Sequence, residues 1–78
     1  MNNDDKREIL EILVGEKVYS KYGELKINNF STSGEFVYLK KDDNTTYPIK
    51  IQNLIINDDL LDKYKEKINK DYNFNIVA

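Results

Sequence analysis

The sequence predicts an α+β domain that is mainly β: a small antiparallel barrel with one helix flanking it at each end. Three observations predict it. The middle of the chain, Gly15 to Ile51, alternates short β-prone runs with turn residues. The segments before and after it carry apolar side chains at helical spacing behind helix-capping residues. The 78 residues show neither an internal repeat nor a linker, so 1–78 reads as a single domain.

The elements follow in order. Asn3 or Asp4 is suited to cap a first helix, and Asp4, Asp5 and Glu8 set negative charge against its N-terminal dipole. Ile9, Leu10, Ile12, Leu13 and Val14 give this helix a broad apolar face, with Lys6, Arg7, Glu8 and Glu11 filling the rest. Gly15 suits the position just past a helix end, which places the helix at 4–14. About three turns are marginal alone in water, so it must dock on the rest of the chain.

Lys17 to Tyr19 opens a strand, and Tyr22-Gly23 marks a tight bend. From Glu24 to Phe30 the pattern alternates, with Leu25 and Ile27 on one face and Lys26 and Asn28 on the other. Ser31-Thr32-Ser33-Gly34 is a turn. Glu35 to Lys40 is the most β-like segment, with Phe36, Val37, Tyr38 and Leu39 apolar on both faces. Lys41 to Thr45 is a second turn. Tyr47, Ile49 and Ile51 then alternate as a strand, whereas Ile51, Leu54 and Ile55 are spaced as a helix face. The reading adopted is a strand to about Ile49 or Ile51, then a helical turn, which puts the barrel at about 17–51.

Asn57 is an N-cap, and Asp58 and Asp59 occupy the first turn of a second helix at 58–69. Leu60, Leu61, Tyr64 and Ile68 form its apolar face. The tail, 72–78, alternates Tyr72, Phe74 and Ile76 with Asn73, Asn75 and Val77, and reads as either an added edge strand or a loosely packed end. A meander this short must curl and be capped to bury one face, and an SH3-like barrel meets that demand.

Residues 15–27 read G-E-K-V-Y-S-K-Y-G-E-L-K-I. This resembles the first hairpin of small bacterial SH3-like or Tudor-like barrels, such as the C-terminal domain of UvrD-type helicases, which often runs V-x-H-x-x-F-G-x-G-x-I. Val18, Tyr22, Gly23 and Ile27 match; Ser20 stands in place of the His and Leu25 in place of the second Gly. Tyr47-Pro48 resembles the exit from the last core strand in some of these domains, so the likeness spans roughly 15–55. It implies a binding module, since barrels of that family bind proteins, notably RNA polymerase, or nucleic acid.

Composition narrows the chemistry. The chain has neither Cys nor His, which removes disulfides, thiolates, imidazole bases and the usual transition-metal ligands. The three glycines are isolated at 15, 23 and 34, so there is no Gly-rich phosphate loop. Asp42-Asp43-Asn44 and Asn57-Asp58-Asp59 lack calcium-loop spacing and read as a turn and a helix cap. The expectation is therefore a non-enzyme without metal or cofactor. No signal peptide or apolar span is evident, so a cytoplasmic protein with no membrane partner is expected.

Net charge is −2, unevenly spread. Residues 17–41 carry five lysines against Glu24 and Glu35, a balance of +3 between acidic ends. Only one of the 12 basic residues is Arg, the side chain best suited to bidentate phosphate and base contacts.

The aromatics point to a surface. Tyr19, Tyr22, Phe36, Tyr38 and Tyr47 all fall in the strand region, too many for a narrow barrel to bury. The plain alternative is that each covers a strand edge or a helix. The sharper expectation is an aromatic cluster ringed by Lys17, Lys21, Lys26, Lys40 and Lys41, with Lys21, Lys26 and Lys40 as its cationic contacts.

These features predict a small protein-binding module, an adaptor or inhibitor. A phage or mobile-element protein that blocks a host factor fits the description. The alternative is a nucleic-acid module using the Lys-rich strands, and a third class is a small-molecule binder or hydrolase. A homodimer through the wide apolar stripe of helix 4–14 would relieve the small core.

Overall fold

The computed structural model describes the backbone of residues 2–77 and the side chains of residues 2–70. Helix α1 (Asn3–Ile12) leads into strands β1 (Lys17–Ser20), β2 (Gly23–Phe30), β3 (Phe36–Lys40) and β4 (Thr46–Lys50). A 3-10 turn (Ile51–Asn53) then precedes helix α2 (Asp58–Val77). The fold is α+β. The four strands form one antiparallel meander in the order β1-β2-β3-β4. The sheet is open: β1 and β4 are its outer strands and no ladder joins them. The antiparallel sheet of the expected barrel is present, and its closure is not shown. The chain leaves β4 through the 3-10 turn into α2 and, among the described residues, supplies no fifth strand between the two edges.

Side-chain alternation sets the inner face. Val18, Leu25, Ile27, Val37, Leu39 and Ile49 point to the core and are buried. Helix α1 caps that face with Ile9, Leu10 and Leu13, and Ile51, Leu54 and Leu60 close the remaining side. Leu10 and Leu13 are wholly buried, each worth about 1.5–3 kcal/mol relative to exposure. Among the described residues no polar or charged side chain is buried.

The helix ends differ from the expectation for physical reasons. Asn2 caps α1, its Oδ1 accepting from Asp5 N–H at 2.8 Å, so the helix begins ahead of 4. It ends at Ile12, where Leu13 N–H is shared between the Ile9 and Leu10 carbonyls. Gly15 then does more than follow the helix. At φ +94° it donates to Ile27 C=O at 2.8 Å, while Ile27 N–H donates to Glu16 C=O at 3.0 Å. Two residues thus face one, a G1 bulge that turns the helix exit into the start of the sheet.

A second irregularity bends the long strand. The β2–β3 register shifts between Ile27 and Asn29, leaving Asn28 as the extra residue. Bulges increase local twist, and this one helps to curl the sheet around its core. Helix α2 begins where Asn57 Oδ1 accepts from Leu60 N–H at 2.9 Å. It runs through 70–77 instead of stopping at 69, so the backbone of the segment whose alternation suggested a strand is helical. No Gly or Pro stands between Asp58 and Val77 to stop it. The side chains of 72–78, on which the strand reading rested, lie outside those described.

Candidate functional site

The curl carries the tip of the β1–β2 hairpin to β4. Tyr22, in the hairpin turn, stacks on Tyr47, with centroids 4.4 Å apart and ring planes at 22°. Ser20 shapes that turn: its Oγ donates to Gly23 C=O at 3.0 Å and accepts from Tyr22 N–H at 3.1 Å. Lys21 Nζ lies 5.2 Å from the Tyr22 ring centroid, within cation–π reach. The two outer strands are therefore bridged by side chains where no backbone ladder joins them.

Between these edges lies a groove of about 600 Å³. Tyr19, Ser20 and Lys21 line it from β1 and its turn, Phe36 from β3, and Pro48, Ile49 and Lys50 from β4. Asn53, Leu54 and Ile55 complete it. Two large apolar side chains stand open to solvent there: Tyr19 is 71 % exposed and Ile55 77 % exposed. Such exposure is informative when apolar groups are gathered in a concave surface rather than scattered singly.

The backbone at the seam follows from hydrogen-bond alternation. The Glu16–Ile27 bond makes Val18 and Leu25 a hydrogen-bonded pair, so the N–H and C=O of Lys17 and Tyr19 point away from β2. On β4, Ile51 N–H donates to Glu35 C=O at 2.9 Å and Lys41 N–H to Thr45 C=O at 2.8 Å. The same alternation turns Thr46, Pro48 and Lys50 outward. Pro48 has no N–H, so the β4 edge lacks its central donor.

Charge at the groove is one-sided. Lys21 and Lys50 line it, and among the described residues no carboxylate does. Neither lysine is in an ion pair among the described residues. Glu24 borders a hollow that Tyr19 also lines, and Glu35 one that Lys50 also lines. Hydrogen bonding with the Glu24 carboxylate opposite it, and then that group's negative charge, hold the Tyr19 hydroxyl above its ordinary pKa.

The sequence-predicted residues thus separate into groups. Tyr19, Lys21 and Phe36 line the groove, and Tyr22 and Tyr47 form the stack beside it. Tyr47 is half-buried and packs on the core. Tyr38 is half-buried on the outer face, opposite Asn29 and Pro48. Lys26 and Lys40 are outer-face residues away from the groove lining; with Lys17 they form a row directly across three strands. Sequence reasoning missed Ile55, Pro48 and Lys50. Ile55 shares helical spacing with Ile51 and Leu54, which are buried, but it lies in the extended segment after the 3-10 turn and points out.

Among the described residues, no helix is long and apolar enough to cross a membrane. No family model matches this chain, and no curated protein or solved structure matches it either.

Proposed function

We propose that this chain is a small non-enzymatic protein-binding module, an adaptor or an inhibitor, that meets its partner at the groove between β1 and β4. The observation that carries the reading is the gathering of exposed Tyr19 and Ile55 with Phe36 and Pro48 in one concavity rimmed by Lys21 and Lys50. Aromatic anchors at the centre with a polar rim are the usual make-up of a protein interface. The likeness of residues 15–55 to small bacterial SH3-like and Tudor-like barrels supports the same reading.

The test is site-specific photo-crosslinking in the native cell, with the probe at Ile55 and, as control, at Asp62 on the exposed side of α2. A partner crosslinked at Ile55 and not at Asp62 is purified and its affinity measured. Ile55→Asp should weaken that affinity by about tenfold or more, equivalent to at least ~1.4 kcal/mol. Unchanged affinity sinks the proposal.

A second reading has its own observation. Lys17, Lys26 and Lys40 face one another in register across β1, β2 and β3, an arrangement that costs stability through like-charge repulsion. A polyanion such as single-stranded nucleic acid would relieve it. Against this, Glu24 lies 3.8 Å from Lys17, and the chain as a whole is acidic. Fluorescence anisotropy with oligonucleotides at low salt decides it: affinity falling steeply with salt supports nucleic-acid binding.

A further inference from the structure

We propose that the groove accepts an extended segment of a partner protein as a fifth strand, laid antiparallel along β1. The segment would alternate apolar with acidic side chains. This rests on the protein-binding reading above and specifies how the partner is held.

Strand β1 is an outer strand whose Lys17 and Tyr19 N–H and C=O groups point away from β2. An unpaired edge is a template for strand addition. Folded proteins commonly blunt such edges with proline, and β4 does so with Pro48 at an outward-facing position. No proline lies in β1, so the competent edge is β1 and the wall across from it is β4. Of β1, Tyr19 and Ser20 line the groove while Lys17 and Val18 border the hollow against α2, so the pairing centres on the Tyr19 N–H and C=O.

The groove's side chains set the chemistry of the occupant. Side chains of an added strand alternate between two faces. Those turned into the groove meet Tyr19, Phe36, Pro48 and Ile55, an apolar surface. Acidic side chains near either end of the segment meet Lys21 and Lys50, which have no carboxylate partner among the described residues. A basic segment would face the two lysines directly, with Glu24 and Glu35 bordering only the neighbouring hollows.

The test uses the full chain and a random library of short displayed peptides. Enriched peptides are resynthesised and their affinities measured for the wild-type protein, Ile55→Asp and Lys21→Glu/Lys50→Glu. Each is also made with alternate backbone amides N-methylated, in both registers. The proposal expects apolar–acidic alternation and about a tenfold loss with each protein variant. It also expects about a tenfold loss on N-methylation in one register and little in the other. Amide hydrogen exchange at Tyr19 should slow by about tenfold or more in the complex.

If peptides lose affinity for Ile55→Asp but ignore N-methylation in both registers, strand addition is wrong and the groove reading survives. If no enriched peptide depends on Ile55 or on the two lysines, the groove reading falls as well. Enrichment of basic peptides overturns the assigned chemistry. A dimer in light scattering with the Tyr19 amide already protected in the free protein makes the occupant a second copy, and the proposal fails.

Discussion

The Tyr22 ring lies against the Tyr47 ring, 4.4 Å between centroids, and ties the first hairpin to the last strand of a sheet whose edges share no ladder. Offset aromatic pairs contribute about 0.5–1.5 kcal/mol beyond the area they bury. A double-mutant cycle with Tyr22→Ala and Tyr47→Ala, followed by urea unfolding, should return a coupling energy in that range. A coupling near zero would mean that the bulges alone set the curl.

Tyr19 and Ile55 are exposed in the free protein, so their stabilising roles should be slight. Tyr19→Ala and Ile55→Asp should each change unfolding free energy by no more than about 0.5 kcal/mol, as typical surface changes do. Equilibrium denaturation checks this. A large loss of stability would show that the groove is part of the core and would weaken its assignment as a binding surface.

Gly34 closes the β2–β3 turn at φ +78°, and a Cβ there would sit 2.7 Å from Arg7 Nη1. The guanidinium is the far end of a flexible side chain and can move; the backbone conformation cannot. Gly34→Ala should therefore cost about 1–2 kcal/mol, mainly from the left-handed backbone. Adding Arg7→Ala should recover little of it. Full recovery would shift the cause to the side-chain clash.

Lys6 joins α1 to the end of the 3-10 turn, its Nζ donating to Gln52 C=O at 3.2 Å and Leu54 C=O at 2.9 Å. The Leu54 bond is part-buried, and charge-assisted bonds of this kind contribute up to about 1.5–3 kcal/mol when sheltered. Lys6→Met keeps the aliphatic stem and removes the donors, and it should cost about 1 kcal/mol given the exposure of the Gln52 bond. Thermal unfolding of the variant measures this.

Two exposed groups should titrate away from their ordinary values. The Tyr19 hydroxyl is shifted up by hydrogen bonding with Glu24 and by its charge. Folding therefore favours protonated Tyr19. Its contribution is fully present below the unfolded pKa of about 10 and is lost as pH rises through the higher folded value. Glu24→Gln should bring the titration back down. The Asp43 carboxylate is shifted down, first by the Thr45 side chain and then by its N–H, which donates to Asp43 Oδ1 at 3.0 Å. Its contribution is present above the unfolded value of about 4 and is lost as pH falls through the lower folded one. NMR titration of both side chains reads the directions; an Asp43 midpoint at or above the ordinary range would contradict the second.

Leu25 and Ile27 were legible as one face of β2 because strand alternation is local, whereas Phe36 to Leu39 read as apolar on both faces and only packing turned Val37 and Leu39 inward. The turns were legible because they carry residues that suit them: Gly23 and Gly34 at positive φ, and Asp43 accepting from Thr45 N–H. The cap of α2 was legible for the same reason, as Asn57 sits where a side-chain oxygen must accept. Ile55 was not. Its helical spacing from Ile51 and Leu54 is real, but the chain straightens after Asn53, and only that geometry turns one of three similar residues outward.

The sequence by itself determined the order of helices and strands and the apolar face of β2, because those depend on near neighbours along the chain. It did not determine whether β1 and β4 would meet, nor that Tyr22 would stack on Tyr47 from 25 residues away. Those depend on how far two bulges curl the sheet and on where the helices cap it. The groove is a product of that curl: it exists because the backbone stops one strand short of closing.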